Sequence, residues 1–93
     1  MWEEVEYELE ELKRKVNNNQ MEGANIFFDE SDWEDEHSHN EIEELQRDFV
    51  REAEKYLNEV GKDKYIVSHG GWCVHVFTKE YYEEKIVPYY RKR

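Results

Sequence analysis

A long apolar stripe in the second half of the chain constrains the fold more than any other feature. Its members recur at the three- and four-residue spacing of one helix face: Ile42, Leu45, Phe49, Ala53, Tyr56, Leu57 and Val60. Two pairs before the stripe have capping-box spacing: Asn40 with Glu43, and Ser38 with Glu41. Gly61 supplies a C-terminal stop. The pattern predicts a helix that begins near residue 40 and buries one face.

A shorter stripe lies at the start of the chain and has the same periodicity. It consists of Trp2, Val5, Leu9, Leu12 and Val16. Glutamates occupy most positions around it, and Lys13, Arg14 and Lys15 fall in the last turn, where cations suit the helix dipole. Three asparagines at 17–19 then end the pattern. The sequence predicts a first amphipathic helix that ends before residue 20.

Three segments have the character of strands. Residues 24–28 form a short apolar run, which predicts a buried strand. Residues 65–69 and 72–77 flank Gly70-Gly71, which favours a hairpin with a two-residue turn that pairs His69 with Trp72. Alternation then divides the hairpin into a core face and an opposite face. We assign Tyr65, Val67, Val74 and Val76 to the core face, and Ile66, Ser68, Cys73, His75 and Phe77 to the other.

The last segment predicts either a short helix or an extended strand. Thr78 is a candidate N-cap for a helix over residues 79–86, and Pro88 is expected to push Val87 out of helical geometry.

A chain of 93 residues without repeats or a Pro/Ser-rich linker favours one domain over residues 1–93. The element order predicts a small α+β fold, with two main helices packed on a short antiparallel sheet.

The charge is concentrated in the middle of the chain. The formal net charge is −11 at pH 7, and residues 16–46 contain ten acidic residues but no Lys or Arg. This balance disfavours direct binding to nucleic acid or to an anionic membrane. The predicted partner-binding residues are the acidic run with its aromatic anchor, and the first turn of the second helix: Asp29, Glu30, Asp32, Trp33, Glu34, Asp35, Glu36, Glu41, Glu43 and Glu44. The chain ends on Arg91, Lys92 and Arg93, which have the opposite sign.

Four residues have the chemistry of zinc ligands. They form two loosely spaced pairs: His37 with His39, and Cys73 with His75. Residues two apart share one face of a strand, so the second pair is able to turn toward one ion, and four such ligands suit tetrahedral zinc. Zinc is the cofactor that these residues predict. The alternative is a buried thiol, a partly buried imidazole and two exposed histidines.

The sequence contains no arrangement that defines a catalytic site. We therefore expect a non-catalytic protein that binds another molecule, and the single cysteine suits the reducing cytoplasm. A band of carboxylates presents negative charge to a Lys/Arg-lined groove, as a phosphate backbone does. The sequence therefore predicts a protein that blocks a basic nucleic-acid-binding protein. The alternatives are a zinc-stabilised interaction module and a homodimeric structural or regulatory subunit assembled through the first helix.

The segment FFDESDWEDEHSHNEIEEL carries a resemblance in overall character. The chain resembles the anti-CRISPR proteins, which are small inhibitors encoded by phages and viruses: it is short, acidic and rich in tyrosine. This resemblance implies that the partner is a Cas effector nuclease or a subunit of its complex. It also implies action in the host cell cytoplasm, either by mimicry of nucleic acid or by binding elsewhere and locking a conformation.

Overall fold

The predicted helices and strands form in the predicted order. The computed structural model describes residues 2–61, 63–70 and 72–91, apart from the side chain of Tyr90. The elements are α1 (Glu3–Asn17), β1 (Ala24–Phe27), α2 (Glu30–Trp33), α3 (His39–Val60), β2 (Tyr65–His69), β3 (Val74–Thr78), α4 (Lys79–Tyr81), a π-helical turn (Tyr82–Ile86) and α5 (Val87–Arg91). The structure confirms the α+β class. The four-residue helix α2 was not predicted.

The sheet has three antiparallel strands in the order β1-β3-β2. The hairpin register differs from the predicted one, because His69 pairs with Val74 and not with Trp72. Four residues, 70–73, therefore connect the strands, and Gly71 lies outside the described residues. A shift of two residues leaves every side chain on its predicted face, since the side-chain period of a strand is two. The predicted faces of the hairpin are therefore correct although the turn was wrong.

The core lies between the inner face of the sheet and the two long helices. Its buried side chains include Val5, Leu9, Leu12, Leu45, Phe49, Ala53, Leu57, Val74 and Val76. The apolar stripe of α1 thus packs against α3 within one chain, and Trp2 at its start is exposed. A homodimer formed through this stripe would need the same side chains. In this structure those side chains are already buried within one chain, in the core that they share with α3 and the sheet.

The start of α3 uses one of the two predicted capping boxes. Ser38 is the N-cap: its hydroxyl accepts from the Glu41 backbone N–H, and the Glu41 carboxylate accepts from the Ser38 backbone N–H. Asn40 lies inside the helix, so the pair Asn40 and Glu43 does not cap it. The helix ends at Val60, and Gly61 is the C-cap, as the sequence predicts.

The C-terminal segment is helical beyond the predicted limit. The Thr78 hydroxyl accepts from the Tyr81 N–H, which confirms the predicted N-cap. Val87, however, has helical angles of φ −59° and ψ −49° directly before Pro88. In a regular α-helix the proline ring would collide with the carbonyl of the residue four positions earlier. Here a wider π-helical turn lies directly before Val87, and the Val87 N–H donates to the Tyr82 carbonyl. The helical conformation continues through Pro88 after this turn.

Candidate acidic interaction surface

The acidic run is fixed to the body of the protein at the start of α2. Asp29 is the N-cap of this helix, and its carboxylate accepts from the Ser31 N–H at 3.0 Å and from the Ser31 hydroxyl at 2.9 Å. The Glu30 N–H donates to the Trp72 carbonyl at 2.7 Å, which joins α2 to the loop between β2 and β3. Asp29 therefore has a local structural role in addition to its charge.

A buried glutamine holds this region together. Gln46 has no exposed surface, and its side-chain amide donates to the Phe28 carbonyl at 2.8 Å and to the Trp72 carbonyl at 3.1 Å. Its carbonyl oxygen lies 2.9 Å from Nε2 of His69, which then acts as the donor. One side chain of α3 thus links the end of β1, the loop 70–73 and the end of β2. Phe28 has φ +49°, so the chain turns sharply where its carbonyl meets this amide.

Sequence analysis missed Gln46, although a signal was present. The residue lies four positions after Ile42 and three before Phe49, so it falls on the apolar stripe of α3. A polar residue in such a stripe must find hydrogen-bond partners when it is buried. The identity of those partners depends on elements distant in sequence, which the pattern alone does not supply.

Four carboxylates of the acidic run form an exposed surface, which we call the acidic surface. They are Asp32, Glu34, Asp35 and Glu36. Within the described part of the chain, no Lys or Arg lies within 4 Å of any of them. Glu44, in the second turn of α3, is also exposed, whereas Glu43 is half-buried. Like charges held this close repel one another, and an approaching cation relieves that repulsion.

Glu30 differs from the other carboxylates of the run. It is 6% exposed, so it does not belong to the surface on which the sequence placed it. Its Oε1 lies 2.6 Å from Nδ1 of His39, and its buried Oε2 has no hydrogen-bond partner among the described residues. The hydrogen bond to Glu30, together with its charge, raises the pKa of His39. The pair ties α2 to the first turn of α3.

His37 makes a second link from a histidine to carboxylates. Its Nε2 lies 2.6 Å from a carboxylate oxygen of Glu4 in α1, and its Nδ1 lies 3.6 Å from Glu41. Hydrogen bonds from the Ser38 backbone and hydroxyl lower the pKa of Glu41, and His37 adds to this shift. The Glu41 carboxylate is therefore exposed, but it already has Ser38 and His37 as partners.

The zinc ligands that the sequence predicts are not brought together. His37 and His39 each pair with a different carboxylate, and Cys73 Sγ lies 3.7 and 3.9 Å from the two ring nitrogens of His75. Across the described residues, which include all four, no three His, Cys, Asp or Glu side chains form a group that could hold a metal ion. The predicted four-ligand site is thus not present in this structure.

Cys73 does not have the surroundings of a reactive thiol. Burial raises its pKa, and the charge of Asp29 raises it further. A raised pKa leaves the thiol protonated at neutral pH, whereas a nucleophilic cysteine needs the thiolate. The contact with His75 is long for a hydrogen bond even to sulfur. The pair is therefore better described as a packing contact on the outer face of β3.

An open groove with two aromatic side chains lies next to the acidic surface. Its volume is about 410 Å³, and we call it the acidic groove; it is lined by Glu3, Glu4, Glu6, Tyr7, Glu10, Trp33 and Glu36. The rings of Tyr7 and Trp33 meet edge to face, with centroids 6.3 Å apart. The groove lies where the first half of α1 meets the end of α2. The described lining residues therefore combine aromatic rings with carboxylates, and none of them is basic.

The Trp33 side chain is half-buried. Its ring packs against that of Phe28, with the ring centroids 5.6 Å apart. Behind it, Glu8 is 9% exposed, and burial raises the pKa of this carboxyl group. The Trp33 indole N–H is close enough to Glu8 to lower that pKa, although it lies outside hydrogen-bonding geometry. Trp33 is thus part of the wall of the groove and not a free anchor.

Trp72 is the exposed aromatic residue that sequence analysis missed. Its side chain is 72% exposed, while its carbonyl accepts from both Glu30 and Gln46. The sequence predicts a strand at this residue, whereas the structure places it in the loop 70–73, with its carbonyl beside the start of α2. A Trp held at its backbone and free at its ring is suited to insert into a partner surface.

The comparisons with known proteins add no family to this description. No protein-family model matches the chain, and neither the curated proteins nor the solved structures give a match.

Within the described residues, none of the helices has the length and apolar composition needed to cross a membrane. Arg91 is exposed, and Lys92 and Arg93 lie outside the described residues.

Proposed function

We propose that this protein is a non-catalytic inhibitor that binds a basic nucleic-acid-binding protein and blocks the groove in which nucleic acid would lie. One observation carries the proposal: the acidic surface projects unneutralised carboxylates from a segment that is fixed by hydrogen bonds at its base. Preorganised charge binds a Lys/Arg-lined groove without the entropy cost of ordering a flexible acidic tail. The same groove attracts nucleic acid by the same electrostatic effect.

The acidic groove adds selectivity for a particular kind of contact. A guanidinium or ammonium group that enters it meets the rings of Tyr7 and Trp33 and the carboxylates around them. Cation–π attraction and charge pairing then act on the same group. An arginine suits this arrangement better than a lysine, since its planar group both stacks and donates several hydrogen bonds. We therefore assign the groove to an arginine side chain of the partner.

Trp72 gives the proposed interface an apolar contact. Its ring is exposed and its carbonyl accepts from the Glu30 N–H at the start of α2, so we include it at the edge of the proposed interface. Tryptophan and arginine are the residues that most often dominate binding energy at interfaces. The resemblance to anti-CRISPR proteins implies that the partner is a Cas effector nuclease or a subunit of its complex, in the cytoplasm of the host cell, and we propose this partner class.

The test is a competition experiment. Purified Cas effectors are loaded with fluorescein-labelled guide RNA or target DNA, and fluorescence anisotropy is followed as the protein is added. The proposal expects displacement at a stoichiometry near one, with affinity that falls steeply as salt is raised. Binding without displacement, seen as increased anisotropy of the labelled complex, would contradict occupation of the nucleic-acid groove. Absence of binding at low salt across the panel would contradict the proposed function as a whole.

A further inference from the structure

A second cavity lies on the opposite face of the sheet from the core. Its volume is about 440 Å³, and it separates the outer face of the strands from the C-terminal helical segment. Strand alternation places Ser68 of β2 directly across from His75 of β3, and Phe77 follows on the same face. Tyr81 and Tyr82 form the facing wall. None of these residues takes part in the acidic surface or the acidic groove.

The rings beside this cavity form a parallel row. His75 and Phe77 lie with ring centroids 5.5 Å apart and planes inclined by 4°, and Phe77 and Tyr81 lie 6.1 Å apart with an inclination of 6°. Tyr82 is tilted by 53° relative to Phe77 and closes one side. Offset parallel rings favour a further flat ring in the same orientation. A saturated ring of similar size is thicker and cannot continue the row.

The polar side chains among the described lining residues are Ser68, His75, Tyr81 and Tyr82. Ser68 is exposed, so its hydroxyl is open to a guest, and His75 is half-buried with only the long contact to Cys73 among its described hydrogen-bonding neighbours. No Asp, Glu, Lys or Arg is among the described residues that line the cavity. The lining therefore offers hydrogen bonds to heteroatoms without selecting a charge. Ligand sites commonly have this composition: mostly apolar, with a few placed polar groups.

The wall of the cavity also contains the π-helical turn. Tyr82 and Ile86, the first and last residues of the π-helical turn, both line it. Single π-helical turns are uncommon and occur often at functional sites. The turn lies directly before Val87 and Pro88, and the ring of its first residue, Tyr82, lies 5.7 Å from that of Phe77 between centroids.

We propose that this cavity binds a neutral, planar heteroaromatic small molecule of the purine or indole class. The guest stacks parallel to the row of His75, Phe77 and Tyr81, and its ring heteroatoms bond to the Ser68 hydroxyl and the His75 imidazole. The site is independent of the proposed inhibitory function, because it lies on another face and uses other residues.

The experiment titrates the ¹⁵N/¹³C-labelled protein with adenine, with indole and with cyclohexylmethanol, and follows the aromatic ring signals by NMR. We expect adenine and indole to shift the signals of His75, Phe77 and Tyr81 saturably, and cyclohexylmethanol to bind at least tenfold more weakly. Equal binding of the saturated alcohol would show simple hydrophobic partitioning and overturn the proposal. The absence of saturable shifts for both flat probes at millimolar concentration would also overturn it.

Two variants locate the binding site. Ala24→Ile adds bulk at an exposed β1 position that lines the cavity, and a β-branched residue suits a strand, so we expect the fold to persist and adenine binding to fall about tenfold or more. Tyr82→Leu removes a wall ring, with an expected loss of about fivefold. Tyr7→Leu, on α1, is the matched control and leaves adenine binding unchanged. Unaltered binding in Ala24→Ile with a native amide spectrum would contradict the proposal.

Discussion

The acidic run and helix α3 both carry many carboxylates but arrange them in opposite ways. Residues 29–36 contain six acidic residues and no basic one, whereas α3 contains seven acidic residues interleaved with Arg47, Arg51 and Lys55. Arg51 pairs with Asp48 at 3.0 Å on the helix surface. The charge of α3 is thus partly balanced where it lies and stabilises the helix. The four carboxylates of the acidic surface have no ion-pair partner among the described residues, and the proposal that they bind a partner rests on this difference.

The two regions also differ in what holds them. Helix α3 has 22 residues, its own capping box and a continuous apolar stripe, so its sequence specifies it locally. Helix α2 has four residues and is too short to be stable by itself. Its position depends on the Gln46 amide and on the Trp72 carbonyl, both supplied by other elements. Hydrogen bonds from distant elements therefore hold this segment in place, although its own sequence has little propensity for structure.

The largest expected effect is on stability, because Gln46 connects the two regions. Gln46→Leu leaves the buried carbonyl of Phe28 without this donor and the Nε2 of His69 without its acceptor, so we expect a loss of about 3 kcal/mol in the free energy of unfolding. Urea denaturation measures it. Gln20→Leu, at an exposed position, is the matched control and should change stability by less than about 0.5 kcal/mol. Equal effects of the two substitutions would refute the role given to Gln46.

The second prediction concerns Ser38, the N-cap of α3, which lies between the acidic run and this helix. Ser38→Ala removes the hydroxyl that accepts from Glu41, and loss of such a cap costs about 1 kcal/mol. Asn40→Ala is the control, since Asn40 lies inside α3 and does not cap it. Thermal unfolding followed by circular dichroism compares them. A larger loss in Asn40→Ala would show that the helix begins at the other capping box.

A smaller effect is expected on the affinity of the acidic groove for an arginine side chain. Tyr7 is 59% exposed, so Tyr7→Leu should leave the fold intact while it removes one ring from the groove. We expect the affinity for an arginine-rich peptide to fall about threefold to fivefold, the size of one exposed cation–π contact. Isothermal titration calorimetry measures it. A citrulline version of the peptide is the control, and the account fails if citrulline binds the native protein as well as arginine does.

The smallest effect is the pH dependence of the link between α2 and α3. Glu30 raises the pKa of His39 above its ordinary value of 6.5. The stabilisation from the charged pair is therefore fully present below pH 6.5 and is lost as the pH rises through the higher folded-state pKa. NMR titration of the His39 ring checks the direction. In Glu30→Gln the pKa of His39 should fall toward 6.5, and an unchanged value would disprove the contact.

Local patterns predicted much of this fold, since the features involved depend on near neighbours. The helical stripes, the alternation of Val74 and Val76 and the caps at Ser38, Gly61 and Thr78 all follow from residues within a few positions. The hairpin register did not follow, because the glycine pair suggested a two-residue turn and the chain uses residues 70–73. The continuation through Pro88 was also missed, since a π-helical turn has no simple sequence signal.

The candidate site was predicted in its charge but not in its geometry. The exposed carboxylates at Asp32, Glu34, Asp35 and Glu36 lie on the segment that composition indicated. The burial of Glu30, the exposure of Trp72 and the contribution of α1 to the acidic groove depend on contacts between distant elements. Charge is a property of the sequence, whereas accessibility is set by tertiary packing.

A pair of charge-matched variants tests the central claim most directly. One carries Asp32→Asn, Glu34→Gln, Asp35→Asn and Glu36→Gln on the acidic surface. The other carries Glu52→Gln, Glu54→Gln and Glu59→Gln on α3 and Glu83→Gln in the π-helical turn, none of which is a predicted partner-binding residue. Affinity for the arginine-rich peptide is measured by calorimetry at several salt concentrations. We expect the first variant to bind about 30-fold more weakly at low salt, at roughly 0.5 kcal/mol for each lost pair, with a shallower salt dependence, and the second to remain near the native protein. Equal losses in the two variants would show that only net charge matters and would contradict the assignment of binding to the acidic surface.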